Sequence, residues 1–357
     1  MRLVPNGGRT ADHPRDGRPV RVLAGTTALV AGLLTVAGCQ AGSSAPATPT
    51  FAGGNNIVKV AETPGVGDAP LFLAFQQGLF RKAGLQVRIT NYDSTGRELA
   101  ALHAGAVDVA FGDYADVFYA QAQAQGKGNK NNLNLVVLAD GYDAVANTME
   151  VLALPGSHIV TARDLVGKTV GTTPAQVMPS SVQGQPYSLE TVATQSVLTN
   201  DNVKPSSIHW QPVPPQGLIG ALASHQVDAI LATEPTIFEA ESQLGAVPVL
   251  DSCTGATANL PLDGYFSTHA IVTSNSAKLT VFRNVLNQAQ ALANNQSQPV
   301  RTTLEGSEGM SVEDASLLTI GQYPTTVSAS NLQRVISLMF FFNAIPTQPS
   351  VKAMIFH

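Results

Sequence analysis

The chain has 357 residues and a formal net charge of −5, and 44% of its residues are hydrophobic against 13% that are charged. A chain of this length can bury the cores of two ordinary domains. The acidic balance excludes the basic footprint of a nucleic-acid-binding protein and the polybasic patch that attracts anionic lipids.

The first 38 residues are predicted to be a signal peptide. Arg15, Arg18 and Arg21 precede an uncharged run, Val22–Gly38, that ends in small residues before Cys39. The run is too short and too rich in Gly and Thr to predict a membrane span. The segment Val36-Ala37-Gly38-Cys39 resembles the bacterial lipobox, and this resemblance implies that Cys39 becomes the acylated first residue of a mature lipoprotein. An ordinary secretory signal that contains a cysteine is the alternative.

Loss of residues 1–38 would leave 319 residues with 15 basic and 23 acidic side chains, a net charge near −8. The long polar stretch at 1–19 is consistent with a later translation start. Residues 39–55 are rich in Ala, Gly, Ser, Pro and Thr, which predicts a flexible tether to the extracytoplasmic face of the membrane. Cys253 would be the only other thiol, so we expect a buried small side chain and no internal disulfide or cysteine-based metal cluster.

From Asn56 onward, short β-branched runs alternate with helical stretches, a pattern that predicts an α/β protein. The expected elements of the first part are strands at 57–60, 85–89, 107–111 and 133–139, helices at 70–79 and 98–104, and a β-rich segment at 149–154. A helical turn and strand over 162–172 begin a second series, with a helix at 189–198, a strand at 208–213, a helix at 236–244, an edge strand at 247–250 containing Pro248, and a strand at 265–273. Helices at 277–294, 312–320 and 330–342 are expected to pack on the first part.

One sequence segment occurs twice in the chain. The segment from Ala101-Leu102 to Val107-Asp108-Val109-Ala110 recurs as Ala221-Leu222 to Val227-Asp228-Ala229-Ile230, with every matched residue 120 positions later. In each copy a helix ends, a polar bend follows, and an apolar run after Val-Asp predicts a buried strand. We interpret the repeat as one structural unit used in two similar lobes, with coincidence in an Ala-rich chain as the alternative. Facing lobes would leave a cleft, where small-molecule sites preferentially form.

The segment Gly78-Leu79-Phe80-Arg81-Lys82-Ala83-Gly84-Leu85-Gln86-Val87 resembles a stretch shared by extracytoplasmic binding proteins for nitrate, sulfonates, taurine and the pyrimidine precursors of thiamine. Further similarity lies at 101–109, 164–171 and 226–229, so that most of residues 56–275 is covered. The resemblance implies a monomeric substrate-binding lipoprotein that delivers a solute to the permease of an ABC importer. The cysteine-rich signature of the eukaryotic pyrimidine-synthesising members is missing, which argues against their enzymatic role.

By this resemblance the fold is a two-lobed periplasmic-binding-protein fold of type II. Each lobe is expected to contain a mixed, mostly parallel sheet flanked by helices, and two strands would form the hinge. We expect the first lobe to comprise 56–145 and 267–357, and the second to comprise 146–266.

Ligands of such folds lie at the carboxyl ends of strands and at helix N-termini, where free backbone N–H groups face the cleft. Five segments meet this condition: 63–70, 93–97, 112–116, 172–176 and 234–235. The candidate ligand-binding residues in them are Asp68, Ser94, Thr95, Asp113, Tyr114, Thr172, Thr173 and Glu234. The polar candidates include common helix-capping types, which is the alternative role for them. Tyr114 could stack on a flat ligand or pack in the core.

The charges of these segments bear on the ligand. Acidic residues outnumber Arg97, the only cation in them, so a strong oxyanion such as a sulfonate or nitrate is less favoured. We therefore expect a neutral or cationic small molecule, heteroaromatic compounds included, although helix N-termini could still bind an anion.

Enzymatic motifs are not supported by the sequence. Gly167-Lys168-Thr169 matches the end of a phosphate-binding P-loop, but Ala162 stands where the loop needs a glycine, and a strand start is the better interpretation. The seven histidines contain no i, i+4 pair, and there is no G-x-S-x-G motif. We predict no catalytic residue, metal or cofactor. The alternatives left open are a lipoprotein that senses a solute and signals to a membrane receptor, and an enzyme on the same fold with a triad assembled only in space.

Overall fold

A computed structural model of the protein describes residues 55–124, 134–174, 188–308 and 310–357. The expected signal peptide, Cys39 and the expected tether through residue 54 lie outside these ranges. Within the described ranges, no helix combines the length and the apolar character that a membrane span requires.

Strands and helices alternate along most of the described chain, as the α/β prediction requires. The described residues form ten strands: β1 Ile57–Glu62, β2 Gln86–Asn91, β3 Val109–Asp113, β4 Leu135–Ala144, β5 Met149–Ala153, β6 Thr169–Thr172, β7 His209–Pro212, β8 Ala229–Thr233, β9 Val247–Asp251 and β10 Leu260–Thr268. They also form twelve α-helices: α1 Ala69–Gln76, α2 Leu79–Lys82, α3 Thr95–His103, α4 Tyr114–Ala124, α5 Leu189–Asn200, α6 Leu218–Ala223, α7 Thr236–Leu244, α8 His269–Asn295, α9 Ser297–Glu308, α10 Val312–Leu317, α11 Ala329–Phe341 and α12 Val351–Met354.

The strands form two five-stranded sheets with the same topology. The first sheet has the order β2-β1-β3-β10-β4 and the second has the order β7-β6-β8-β5-β9. In the first sheet β1 pairs in parallel with β2 and β3, whereas β10 runs antiparallel to β3 and β4. In the second sheet β6 pairs in parallel with β7 and β8, whereas β5 runs antiparallel to β8 and β9. Four of the five strands in each sheet therefore run in the same direction, so that each sheet is mixed and mostly parallel, as expected.

The two copies of the repeated segment make the same hydrogen bonds in the two sheets. The backbone N–H of Lys59 donates to Oδ2 of Asp108 at 2.9 Å, and that of Thr169 donates to Oδ2 of Asp228 at 2.8 Å. The backbone N–H groups of both aspartates donate back to the carbonyls of the same two partners, each at 2.8 Å. In both copies the carboxylate joins the strand that follows it to the neighbouring parallel strand. This confirms that one structural unit is used twice.

The chain passes between the two sheets at residues 145–148, after β4, and at residues 252–259, after β9. Strand β10 pairs with β3 and β4 from Leu260 onward and so belongs to the first sheet. The strand expected at 265–273 corresponds to β10, which begins at Leu260 and ends at Thr268. The Thr268 hydroxyl accepts a hydrogen bond from the N–H of Ile271 at 3.2 Å and thereby begins α8.

Two further details follow from local residue chemistry. The helix expected at 70–79 is divided into α1 and α2 because Gly78 adopts a left-handed conformation with φ of 66°, which only glycine adopts at little cost. Strand β9, which contains Pro248, lies at the edge of the second sheet, as predicted from the missing N–H of proline.

The long helix α8 packs on the first sheet, against α1, β1, β4 and β10. The rings of Phe282 in α8 and Phe80 in α2 stack at 5.3 Å between centroids. Near the start of the helix the buried Lys278 donates to the carbonyl of Ile57 at 2.7 Å and lies 3.7 Å from Asp108. Helix α11 contacts β10 and α4, but it also contacts α5. The C-terminal helices thus cover the first sheet, as expected, and α11 reaches beyond it.

Cys253 and Gly167 behave as the sequence suggested. The Cys253 thiol is free and 3% exposed, and burial raises its pKa to about 12, as expected of a structural rather than a nucleophilic cysteine. Gly167 has a φ of 73° in the turn that leads into β6 at Thr169, so the tripeptide begins a strand and not a phosphate loop.

Candidate functional site

A cavity of about 360 Å³ lies where strands of both sheets end. The side of the first sheet contributes the loop after β1, residues 63–67, and the end of β3. The side of the second sheet contributes the end of β6 and the segment 231–236, which runs from the end of β8 into α7. Asp113 and Thr233, which end β3 and β8 at equivalent positions of the repeat, both line it. The cavity therefore lies at the carboxyl ends of parallel strands, where ligands of α/β sheets bind.

Five of the eight candidate residues line this cavity: Thr95, Asp113, Thr172, Thr173 and Glu234. The hydroxyl of Thr95 accepts a hydrogen bond from the backbone N–H of Asp113 at 3.2 Å. Asp113 in turn caps α4, because its Oδ1 accepts the N–H groups of Ala115 at 2.5 Å and of Asp116 at 3.3 Å. Both capping bonds use the same oxygen, so a second oxygen of Asp113 is left to meet a solute.

The structure does not bring Asp68 or Ser94 to the cavity wall. Asp68 is completely buried, and its carboxyl lies beside that of Glu62 and makes no capping bond to α1. The preceding loop lines the cavity through residues 63–67, so Asp68 lies behind the wall. Ser94 caps α3, where its hydroxyl accepts the N–H of Arg97 at 3.4 Å.

Tyr114 lies in the core and not in the cavity wall. Its completely buried ring stacks on Phe118 and meets the edge of Phe266, both at 5.3 Å between centroids. Its hydroxyl donates to Oδ1 of Asp140 at 2.5 Å. This is the core-packing alternative that the sequence left open. The aromatic residues that do line the cavity are Phe111 and Tyr142.

Sequence reasoning missed two acidic residues of the wall, Asp263 and Glu190. Asp263 lies in β10 directly opposite Asp113 of β3. A lone aspartate inside the apolar run 260–266 was a usable signal, because burying a charge is costly without a compensating partner. Glu190 lies in the first turn of α5, where an acidic residue is common for reasons of helix stability and carries no functional signal.

The cavity wall is acidic. Four carboxyl groups line it, and among the described residues no Lys, Arg or His does: Asp113, Glu190, Glu234 and Asp263. Arg97, the cation in the candidate segments, is not in the wall, and its 72% exposed side chain pairs with Asp93 at 3.3 Å.

Burial and neighbouring carboxylates raise the pKa values of Asp113 and Asp263. Burial, followed by the nearby Glu190, raises the pKa of Asp263 to about 7. Burial is also the main cause that raises the pKa of Asp113 well above its usual range; neighbouring carboxylates add to it, and the N–H of Ala115 opposes it. The empty cavity therefore gains negative charge as the pH rises through neutrality.

A further carboxyl group lies directly behind the wall. Glu98 is completely buried, and its Oε1 accepts a hydrogen bond from the Thr63 hydroxyl at 2.7 Å. Its Oε2 has no hydrogen-bond partner among the described residues and would lie 3.2 Å from a Cβ on Gly112 of the wall. Burial raises the pKa of Glu98 to about 8, so it is mostly protonated at pH 7.

Glu234 connects the wall to the C-terminal segment. Its Oε1 accepts the N–H of Thr319 at 2.9 Å, and its Oε2 accepts the N–H of Phe238 in α7 at 3.1 Å. The same segment touches the other side of the cavity, because the N–H of Gly321 donates to the Tyr142 hydroxyl at 2.7 Å. The residues between α10 and α11 thus bridge groups that belong to the two sheets.

The described part of the chain contains no group of three or more His, Cys, Asp or Glu side chains arranged to hold a metal ion. A small molecule fits the size and the mixed polar and apolar lining of the cavity better.

A family model described as NMT1/THI5 like matches residues 67–299, which confirms the resemblance carried by the segment 78–87. No curated protein sequence matches the chain.

Solved structures of similar fold include binding proteins and an enzyme. The periplasmic aliphatic sulphonate binding protein SsuA from Escherichia coli is 18% identical, with a TM-score of 0.66 over 84% of this chain and 97% of SsuA. The periplasmic nitrate-binding protein NrtA from Synechocystis PCC 6803 is 14% identical, with a TM-score of 0.64 over 84% of each chain. The desulfurization enzyme DSZB is 14% identical, with a TM-score of 0.63 over 84% of this chain and 96% of the enzyme. At such identities the likeness establishes the fold, which is that of the periplasmic binding proteins, as predicted.

Proposed function

This chain belongs to the NMT1/THI5-like family, and we propose that it is an extracytoplasmic solute-binding lipoprotein that captures a small molecule and delivers it to an ABC importer. The observation that carries the proposal is the cavity of about 360 Å³ between strand ends of two topologically equivalent sheets. A cleft between such units can close on a ligand and present the closed form to a permease. Two proteins of similar fold, SsuA and NrtA, are named as periplasmic binding proteins.

We propose that each sheet is the centre of one lobe. The two connections at 145–148 and 252–259 are short, so a change in a few backbone dihedrals there could rotate one sheet relative to the other. Thr148 in the first connection lines the cavity, which would couple the hinge to the ligand.

The ligand in this proposal is a neutral or cationic small molecule. It would contact Thr95, Asp113, Thr172, Thr173 and Glu234, with backbone N–H groups of the loop at 63–67. SsuA and NrtA are named for a sulphonate and for nitrate, but an oxyanion in this cavity would face four carboxyl groups without a cation among the described residues of the wall. Uncompensated burial of like charges is unfavourable, so these anions are the less favoured ligands here.

Membrane attachment in this proposal comes from acylation of Cys39 after removal of residues 1–38. Replacement of Cys39 by Ala should release the protein from the membrane fraction while its ligand affinity is unchanged. Cys253→Ala is the matched control, because that thiol is buried far along the chain and should leave attachment intact. Retention of the Cys39→Ala variant in the membrane fraction would contradict the anchor.

The transport role is tested by uptake. A labelled solute that raises the melting temperature of the purified protein should enter cells that contain the protein and its permease, and it should not enter cells that lack the protein. Tight binding without stimulated uptake would instead favour a solute-sensing lipoprotein that signals to a membrane receptor.

An enzymatic role is the second alternative, and it has one observation in its favour, the shared fold with the desulfurization enzyme DSZB. Mass spectrometry of the bound solute after incubation distinguishes the two roles. An unchanged solute supports a receptor, and a converted product supports an enzyme.

A further inference from the structure

We infer that the solute of this cavity is an organic cation, whose positively charged nitrogen lies between Asp113 and Asp263 and faces Glu190 of α5. The inference rests on the proposed solute-binding function and narrows its ligand from neutral or cationic to cationic.

Two carboxyl groups of the cavity wall lie opposite each other on the first sheet. Asp113 of β3 and Asp263 of β10 are direct partners in the antiparallel register, so their Cβ atoms lie about 5 Å apart on the same face. Like charges in directly opposite positions destabilise a strand pair, and both residues are in the cavity wall. Asp263 has no hydrogen-bond or ion-pair partner among the described residues. A cation between the two groups would remove the repulsion and provide the missing partner.

Acidic groups approach the same cavity from other elements of the fold. Glu190 of α5 enters the wall from the side of the second sheet and is close enough to raise the pKa of Asp263. Behind the wall, the completely buried Glu98 keeps one oxygen, adjacent to Gly112, without a partner in the described structure. Two independent observations therefore point to a positively charged occupant: four carboxyl groups without a cation in the described part of the wall, and a buried carboxyl oxygen of Glu98 without a partner directly behind it.

The size and lining of the cavity favour an organic cation over a metal ion. The described residues hold no arrangement of acidic side chains suited to a metal ion, and about 360 Å³ exceeds the volume that a bare ion fills. Phe111, Tyr142 and apolar side chains including Leu231 and Leu262 complete the wall. Aromatic faces attract organic cations, and apolar walls bury their carbon skeleton. An ammonium or amidinium group on a small apolar body fits this combination.

Two matched sets of probes test the inference. Benzamidinium, benzamide and benzenesulfonate share an aromatic ring and differ in charge. Butylammonium, butanol and butanesulfonate share an alkyl chain and differ in charge in the same way. We expect each cation to raise the melting temperature of the mature protein and to bind at least about tenfold more tightly than its neutral partner by calorimetry, whereas the sulfonates cause no shift.

Variants assign the effect to the named carboxylates. Asp263→Asn and Glu190→Gln should each weaken binding of the cations about tenfold or more and leave binding of the neutral probes unchanged. Asp201→Asn is the control, because Asp201 is exposed at the opposite end of α5 and should change neither. Glu190 is only partly buried in the first turn of α5, so its variant remains informative if Asp263→Asn folds poorly.

Four results would overturn the inference, and the first three concern relative affinities. These three are equal binding of benzamide and benzamidinium, a preference for the sulfonates, and cation affinities that neither variant changes. Failure of both cations to bind at millimolar concentration would also overturn it. None of these results removes the proposed solute-binding function, which the uptake experiment tests with whichever solute binds.

Discussion

The hydroxyl of Tyr114 donates to Oδ1 of Asp140 at 2.5 Å and joins the start of α4 to β4 in the core. Neither side chain is more than 1% exposed. Burial raises the pKa of Asp140 to about 6, and the bond from Tyr114 opposes that rise because it stabilises the carboxylate. The bond is therefore a structural element of the first sheet, and neither of its two residues lines the cavity.

Replacement of Tyr114 by Phe should destabilise the protein without affecting ligand binding. The change leaves a buried carboxyl oxygen without its donor, which costs about 1–3 kcal/mol in the free energy of unfolding. Urea denaturation measures this loss. Tyr119→Phe is the control on the same helix, because the Tyr119 hydroxyl accepts only an exposed bond from Gln123 at 2.8 Å and should cost less than about 0.5 kcal/mol. A large drop in solute affinity for the Tyr114 variant would contradict the assignment of this ring to the core.

The ligand-free protein should be more stable at pH 5 than at pH 8. Asp263 and Glu98 have pKa values of about 7 and about 8 in the folded chain, above their ordinary values of 3.8 and 4.5. The folded state therefore binds protons more tightly than the unfolded state, so these groups contribute most stability below about pH 4 and lose it as the pH rises through 7 to 8. The groups around Asp263 are the carboxyls of Asp113, Glu190 and Glu98 and the hydroxyls of Tyr114, Tyr142 and Tyr265, and none of them is cationic.

Denaturation at the two pH values, with and without substitution, checks this prediction. Asp263→Asn should reduce the difference in unfolding free energy between pH 5 and pH 8 by at least about 1 kcal/mol, since one unit of pKa shift corresponds to about 1.4 kcal/mol. The exposed control Asp201→Asn should leave the difference unchanged. Stability that rises from pH 5 to pH 8 in the unmodified protein would show that these carboxyls are ionised at low cost.

A methyl group at Gly264 should strongly destabilise the first sheet. A Cβ at this position would lie 2.5 Å from the Tyr114 hydroxyl oxygen and 2.7 Å from its Cζ, and that ring is fixed by core packing. Gly264→Ala should therefore lower the free energy of unfolding by about 1–3 kcal/mol through overpacking. Gly220→Ala is the matched control in α6, where a Cβ meets nothing within 4 Å and should raise stability by up to about 1 kcal/mol. Equal melting temperatures for the two variants would contradict this prediction.

The repeated aspartates offer a comparison within one molecule. Asp108→Ala and Asp228→Ala should each lower stability by about 1 kcal/mol, because each removes an acceptor for a backbone N–H of the neighbouring strand. The loss should be larger at Asp108, whose carboxylate also lies 3.7 Å from Lys278, a side chain only 5% exposed. Chemical denaturation of both variants measures the difference, and a smaller loss at Asp108 than at Asp228 would contradict it.

Much of the fold was predictable because it depends on local patterns. The alternation of apolar runs, the repeat at 101–110 and 221–230, and Pro248 in an edge strand all correspond to observed elements. The incorrect predictions concerned the ends of elements. The end of β10, for example, is set by the threonine that caps α8 and not by hydropathy. For Asp68, the sequence identified the correct loop, but the side chain lies behind the wall that the preceding residues form.

The α/β class, the duplicated unit and five of the residues that line the cavity could be predicted from the amino-acid sequence, because periodicity and strand ends are local properties of the chain. The position of Asp263 opposite Asp113, and of Glu190 in the same cavity, depends on the folded chain. These residues come from β10 and α5, which are far from β3 in sequence, and the sheet order that unites them depends on crossovers without a local signal. The net charge of a binding cavity is the sum of contributions from such distant segments. The sequence therefore indicated that the cavity is acidic, and the fold determined how many carboxyl groups line it.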